Sequence, residues 1–262
     1  MIGTLFTGSS AMKAFSKGLQ VVSDNIANSN TTGYKKERAE YGDTFYNLLK
    51  QPSDTDTGLQ LGTGVQVSHV STDFSDAQAE FTGIESDLSI SGSGFFEVAD
   101  SSGELFYTRA GNFQVDEEGY FKTTTGEFLQ GTNGNLQLSS PTNGTIASYS
   151  FAASTGVLSV TLTNNTIQEI GQVKLQNFTN PSGLVRKGSN LFQTTTASGA
   201  GTSVTPSATA IASVHSGYLE GSNVDLTDEF TQMIVAQRSF QASSRIITTA
   251  DQILQEIVQL KR

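Results

Sequence analysis

The chain has no cysteine. Disulfides, thiolate metal sites and cysteine nucleophiles are therefore excluded. Charge is scarce: 15% of the 262 residues are Asp, Glu, Lys or Arg, with a net charge of −10. The 15 basic residues are scattered, and their longest run is Lys35–Lys36. Neutralising nucleic-acid phosphates takes a concentrated basic patch, so nucleic acid is set aside as a partner. No apolar run approaches the roughly 20 residues that span a bilayer, which excludes a membrane-inserted helix. The opening stretch from Met1 to Met12 has no basic n-region, and Gly, Ser and Thr break up its apolar residues. It does not read as a cleaved signal peptide, so export would need another route. Only 36% of the chain is hydrophobic, while small polar residues abound, which favours β structure and polar loops. The length still suffices for a real core in one large domain or two smaller ones.

What is present falls into three zones. Leu5, Met12, Leu19 and Ile26 lie seven apart, and Gly8, Phe15 and Val22 fall at the interleaved spacing. This a/d pattern predicts a helix that packs on another helix. Asn28-Ser-Asn-Thr-Thr-Gly33 ends it, because Asn and Gly accept the positive φ of helix C-termini. The last zone answers the first. Leu226, Met233, Phe240, Ile247 and Leu254 again lie seven apart, with Ala236, Ser243, Ala250 and Ile257 in the alternate seam. Ile246, Ile253 and Leu260 widen the stripe to more than one apolar face. Ser222-Asn-Val-Asp225 offers N-cap candidates, and Asp225, Asp228 and Glu229 set negative charge at the positive end of the helix dipole. Lys261 and Arg262 complement its other end.

Between the helices, apolar residues alternate in short runs: 66–70, 88–90, 95–98, 157–162 and 173–178. Period-two alternation bounded by Gly, Asn and Asp predicts antiparallel strands. Asn133-Gly134 and Asn143-Gly144 read as hairpin turns of type I′, which need φ > 0 twice. The polar segments Pro52–Gly58 and Thr194–Pro206 are expected to be mobile. The fold class expected is α+β, with coiled-coil helices from both termini forming one domain and a central antiparallel β-rich domain. The expected boundaries are 1–33 for the first helix, 34–75 for a connector with a β-hairpin, 76–218 for the β-rich body and 219–262 for the last helix.

Three blocks carry a family resemblance. Asp24-Asn-Ile-Ala-Asn28-Ser-Asn-Thr-Thr-Gly33-Tyr-Lys-Lys36 is similar to the N-terminal signature of flagellar rod and hook proteins. Gly92-Ser-Gly-Phe-Phe96-Glu-Val, then Tyr107-Thr-Arg-Ala-Gly-Asn-Phe113 and Asp116, resembles their core β motif. Gly217-Tyr-Leu-Glu-Gly-Ser-Asn-Val-Asp225, Met233-Ile-Val-Ala-Gln-Arg238-Ser-Phe240 and Thr248-Thr-Ala-Asp-Gln-Ile-Leu254 resemble their C-terminal signature. The stretch 129–165 departs from the family pattern, leaving its strand pairing open.

The resemblance implies an axial tube lined by the terminal helices, with the β domain outside. It implies export from the cytoplasm by the type III flagellar route without a cleaved signal, and residence in the basal body or hook. The implied partners are copies of the chain itself, adjacent rod and hook proteins, the flagellar export apparatus and the ring bushing around the rod. Leu5, Met12, Phe15, Leu19, Val22, Ile26, Met233, Phe240, Ile247, Leu254 and Ile257 would then pack between subunits. Asn25, Asn28, Gly33, Asn223, Asp225, Gln237 and Arg238 are its signature positions, although the cluster Asn25, Asn28 and Asn30 also reads as a plain helix stop. Gln51-Pro52 and Gly58–Val65 resemble the linker of distal rod proteins, while Ser71–Ser75 and Met233–Phe240 look equally like short hook proteins; the balance leans to the distal rod.

Enzyme chemistry finds no foothold. His69 and His215 have no nearby ligand partners in sequence, so no metal site is expected. Asp116-Glu-Glu118 reads as a solvated turn, and Gly92-Ser-Gly94 lacks the last glycine of a dinucleotide fingerprint. No catalytic residue and no cofactor are expected. The rival class, an enzyme or surface adhesin with a β domain, is disfavoured by heptad helices at both ends.

Overall fold

The computed structural model describes residues 2–51, 58–139, 146–207 and 212–260. The expected turn at Asn143-Gly144, the charges Lys261 and Arg262, and most of the polar segment beginning at Pro52 lie outside them. The chain forms two units: a helical one from both chain ends and 36–73, and a β-rich one from 30–35 and 74–223.

The helical unit holds α1 (Ile2–Ala27) and α2 (Leu226–Leu260), with four strands between them in sequence. The helices run antiparallel: Thr4 lies beside Ala250 and Ile253, Gly8 against Ser243 and Ile247, and Phe15 and Val22 beside Thr231 and Ala236. Along α2 the buried residues are Glu229, Ala236, Ser243 and Ala250, one per heptad, flanked by half-buried Met233, Ile247 and Leu254. On α1 the deepest positions are Gly8, Ala14, Gly18, Val22 and Asn25, while Leu5, Met12, Phe15, Leu19 and Ile26 are half-buried beside them. Small residues occupy the line of closest approach because only they let two helix backbones draw together. A Cβ on Gly8 would sit 2.9 Å from Ile247 Cγ1.

A bent antiparallel ribbon belongs to the same unit. β1 (Glu37–Asp43) pairs with β4 (Val65–Thr72), and β2 (Tyr46–Lys50) with β3 (Leu59–Gly62). Thr44 N–H to Gly64 O at 3.0 Å and Thr63 N–H to Phe45 O at 3.1 Å carry the pairing across the bend. β1 and β4 lie on α1, where Phe15 and Tyr41 rings stand 5.7 Å apart and the Tyr41 hydroxyl fills the space over Gly18.

In the β-rich unit every named strand pair is antiparallel. β5 (Ala79–Phe81) pairs with Tyr218–Glu220, and β6 (Leu88–Gly92) with Ala212–Ser216. β7 (Phe95–Ala99) and β8 (Leu105–Thr108) form a hairpin inside the largest sheet. Leu88, Phe96, Val98, Phe121, Leu129, Leu158, Val173 and Val214 meet in its core. The open stretch 129–165 resolves: Phe128–Gly131 joins the large sheet, and Ile146–Phe151, Val157–Leu162 and Ile167–Gln172 form a separate three-stranded meander.

Three local expectations are corrected. At Asn133-Gly134 only Gly134 takes positive φ, so the turn is not type I′. The true two-residue turn with positive φ at both positions is Ser189-Asn190, joining Val185–Gly188 to Leu191–Gln193. Of the run 173–178 only Leu175–Asn177 is strand, and its partner, Thr202–Val204, lies inside the segment expected to be mobile. That stretch has a defined course, with Ser198 Oγ–H donating to Thr195 O at 2.9 Å.

Candidate assembly interface

The helix pair buries one seam and leaves others open. α2 has 35 residues and α1 has 26, so antiparallel pairing leaves the last turns of α2 beyond the start of α1. There Ile257, Val258 and Leu260 are 46%, 66% and 86% exposed. Phe230, Ile234, Val235, Ile246 and Ile253 are exposed along the same helix, and Phe240, placed mid-seam by its spacing, is 37% exposed. The ribbon adds Phe45, Tyr46, Leu48, Leu49, Leu59 and Leu61, all exposed. Contiguous apolar surface of this kind marks sites that another protein covers.

The signature residues divide by what they hold. The Asn25 side chain is buried and pairs with the backbone of Glu37 twice, Nδ2 donating to the carbonyl at 2.7 Å and Oδ1 accepting the N–H at 2.9 Å. It fixes the end of α1 to the start of β1. Asn28 donates back to Asp24 O at 2.9 Å within the last helical turn. Gly33 takes φ +68°, and a Cβ there would lie 2.5 Å from the Ala110 nitrogen, so both conformation and space demand glycine. Asn223 Nδ2 reaches Ser75 Oγ at 3.2 Å. Asp225 caps α2, accepting the N–H of Thr227 at 2.8 Å and of Asp228 at 3.4 Å. Those backbone donors hold its carboxyl below the usual carboxylate value. Gln237 and Arg238 face solvent, Arg238 reaching only Gln241 on its own helix.

A buried ionic cluster escaped the sequence reading. Lys35, Glu220 and Arg109 are 0%, 1% and 2% exposed. Lys35 Nζ donates to Glu220 Oε1 and to Ser75 O, each at 2.6 Å. Glu220 accepts also from Ala77 N–H at 3.2 Å and from Arg109 Nη1 at 3.2 Å, and Arg109 Nη2 donates to Gly92 O at 2.8 Å. Burial pushes the Lys35 ammonium below its ordinary 10.5, while Glu220 pulls it back up. One carboxylate thus joins four chain segments. Its advance signal was that Lys35, Arg109 and Glu220 each sit in one of the resembling blocks.

The residues weighed for chemistry lie apart. His69 Nε2 meets Glu40 Oε2 at 3.2 Å on the β1–β4 ribbon, and His215 Nε2 meets Ser213 Oγ at 3.3 Å. Asp116 closes a four-residue turn with Gly119, whose N–H it accepts at 2.8 Å through its carbonyl, and its side chain pairs with Lys122. Among the described residues no three His, Asp or Glu converge as metal ligands would, and no helix is long and apolar enough to cross a membrane.

Known proteins resemble this chain in sequence. Three family models match: flagella basal body rod protein over 5–35, flagellar hook protein FlgE/F/G D1 domain over 89–175, and flagellar basal body rod FlgEFG protein C-terminal over 215–260. The chain is 39% identical over 269 residues to the flagellar basal-body rod protein FlgG of Bacillus subtilis, covering 100% of both. It is 37% identical to the protein of the same name from Caulobacter vibrioides, covering 98% of each. Against the flagellar hook protein FlgE of Escherichia coli identity is 25%, in an alignment of 406 positions covering 96% of this chain and 98% of the hook protein. That alignment leaves long stretches of the hook protein without a counterpart here.

Proposed function

The chain belongs to the family of flagellar basal-body rod and hook proteins, and on that premise we propose that it is a mechanical subunit of the distal rod. Copies polymerise through their terminal helices into a tube that carries torque and encloses the export path. The observation that carries this reading is the helix pair itself: one seam is closed within the subunit, while α2 keeps apolar faces and an overhanging end exposed. Covering apolar area stabilises contacts by about 25 cal/mol per Å², which repeats in every copy. The full-length likeness to basal-body rod proteins, at higher identity than to the hook protein, favours rod over hook.

Several finer assignments follow from the same reading. The chain reaches its place through the flagellar export apparatus without a cleaved signal peptide, contacts adjacent rod and hook proteins, and turns inside a ring bushing. It needs no cofactor and catalyses nothing. Leu5, Met12, Phe15, Leu19, Val22, Ile26, Met233, Phe240, Ile247, Leu254 and Ile257 pack within or between copies. Sedimentation of the purified chain over a concentration series tests the core claim. Polymers that pellet as concentration rises are expected, and a chain that stays monomeric to high concentration and fails to restore swimming to a rod-deletion strain overturns it.

A further inference from the structure

An apolar groove of about 820 Å³ opens in the helical unit between the ribbon and the first turns of α1. Its walls include Phe6, Leu61 and Ile246, which are 68%, 59% and 51% exposed, and none of its lining residues carries a charge. The lining has spare room at two glycines: a Cβ on Gly3 would meet nothing within 4 Å, and one on Gly62 would only touch the Tyr46 ring at 3.5 Å. A groove of this size and polarity falls in the range that holds a buried ligand group or a helix face.

We propose that the overhanging end of α2 from a second copy of this chain fills the groove, a contact that rests on the polymer reading above. The occupant is chosen by three features. From Leu254 to Leu260 the helix reads Leu-Gln-Glu-Ile-Val-Gln-Leu, with Glu256 the one charge before Lys261 and Arg262, and with Leu254, Ile257, Val258 and Leu260 apolar. This segment is the part of α2 left without α1 beside it, and its Ile257, Val258 and Leu260 side chains are exposed. The same copy cannot supply it. Ile246 forms a groove wall and α2 is unbroken to Leu260, which places that end roughly 21 Å further along a straight helix at 1.5 Å per residue. Groove and overhang are different patches of one molecule. A contact between them that is not closed by a two-fold pair repeats head to tail, which builds an open filament wherever the rotation does not close a ring.

The absence of native cysteine makes the test clean. Leu61→Cys and Val258→Cys in one chain place a thiol in the groove and another on the overhang, both at exposed positions. Mild oxidation of concentrated protein is expected to give a ladder of dimers, trimers and higher species on non-reducing gels. Leu260→Asp added to this chain should suppress the ladder at least tenfold while leaving helix content by circular dichroism unchanged. A product that stops at dimer reveals a two-fold pair, and a cross-link within the monomer shows that the chain reaches its own groove; either overturns the inference. Sedimentable polymers without any ladder also overturn it while leaving the rod reading intact. If the parent chain forms no polymer at all, the rod reading fails and takes this contact with it.

Discussion

Removing the Glu220 carboxylate by Glu220→Ala should weaken the β-rich unit more than any loss of surface charge. The carboxylate receives Lys35 Nζ at 2.6 Å and Arg109 Nη1 at 3.2 Å, and both cations are buried. Breaking a buried ion pair by deleting one partner typically costs about 3–5 kcal/mol, because the other charge remains in a medium that solvates it poorly. For a unit of this size about 1 kcal/mol shifts the melting point by about 2–4 °C, so the expected drop is roughly 6–20 °C. Lys35→Met should cost less, since Glu220 keeps Arg109 and the Ala77 N–H. Added to Glu220→Ala, it should restore part of the loss by removing a stranded cation.

The pH dependence supplies a second readout. Burial holds the folded-state Lys35 value below its ordinary 10.5, and without Glu220 the main opposing influence disappears. The unfolded chain then binds the proton more tightly than the folded chain. Raising the pH between the depressed folded value and 10.5 therefore favours folding. The deficit of Glu220→Ala should be largest near neutrality and narrow as pH climbs. Thermal unfolding of the monomer, followed by circular dichroism from pH 7 upward, measures both effects. A Glu220→Ala melting point within about 2 °C of the parent, or no recovery on adding Lys35→Met, would refute the assignment.

Three further outcomes are expected. Phe240→Ala should leave the melting point of the β-rich unit unchanged and cost the monomer less than the roughly 3–5 kcal/mol of a fully buried Phe, while sharply lowering polymer yield by sedimentation. Leu19→Asp and Leu254→Asp place an unpaired charge in half-buried seams and should abolish swimming in a complemented deletion strain, whereas His69→Gln and His215→Gln should swim normally; exported, polymerised but immotile histidine variants would point to a chemical role instead. The Asp225 cap stabilises α2 above the ordinary carboxyl value of 3.8, and this contribution should vanish as pH falls through its depressed folded value; Asp225→Asn, which keeps the cap without titrating, should flatten that acid loss of helicity at 222 nm.

Periodicity made the helices legible because a seven-residue repeat fixes a face. It placed Gly8 and Val22 in the α1 seam and Ala236, Ser243 and Ala250 in the α2 seam, and all five are buried, but it missed Ala14 and Gly18, which lie deeper than Leu5, Met12 and Leu19. Close backbone approach selects small side chains, so the large ones flank the seam. Strands at 88–90, 95–98 and 157–162 were legible from their short apolar runs, although only 157–162 alternates in burial, while 88–90 and 95–98 are buried at every position. Alternation names no partner, and the pairing of β6 with Ala212–Ser216 across more than a hundred residues has no local trace. Ser189-Asn190 went unseen because Asn can hold positive φ without the glycine that usually signals such a turn. The ionic cluster was hidden most deeply, because a lone Lys or Glu in sequence reads as solvated and only the fold reveals the burial.

The position of that cluster bears on how a subunit could transmit load. The backbone passes between the two units four times, after Ser29, Lys35, Asp73 and Asn223. Lys35, Ser75, Ala77 and Glu220 lie within four residues of three of these crossings, and within the β-rich unit they are bonded to one another. Asn223 adds a bond to Ser75 beside the same group. Tension arriving along any of these three segments would therefore be shared with the other two. Bonds loaded together resist more than bonds loaded in turn, and buried charge-assisted bonds are among the strongest side-chain contacts available. A mechanical subunit has this use for a buried Lys–Glu–Arg cluster, which an apolar replacement of the same volume would match in static stability but not in directed bonding across three separate chain segments.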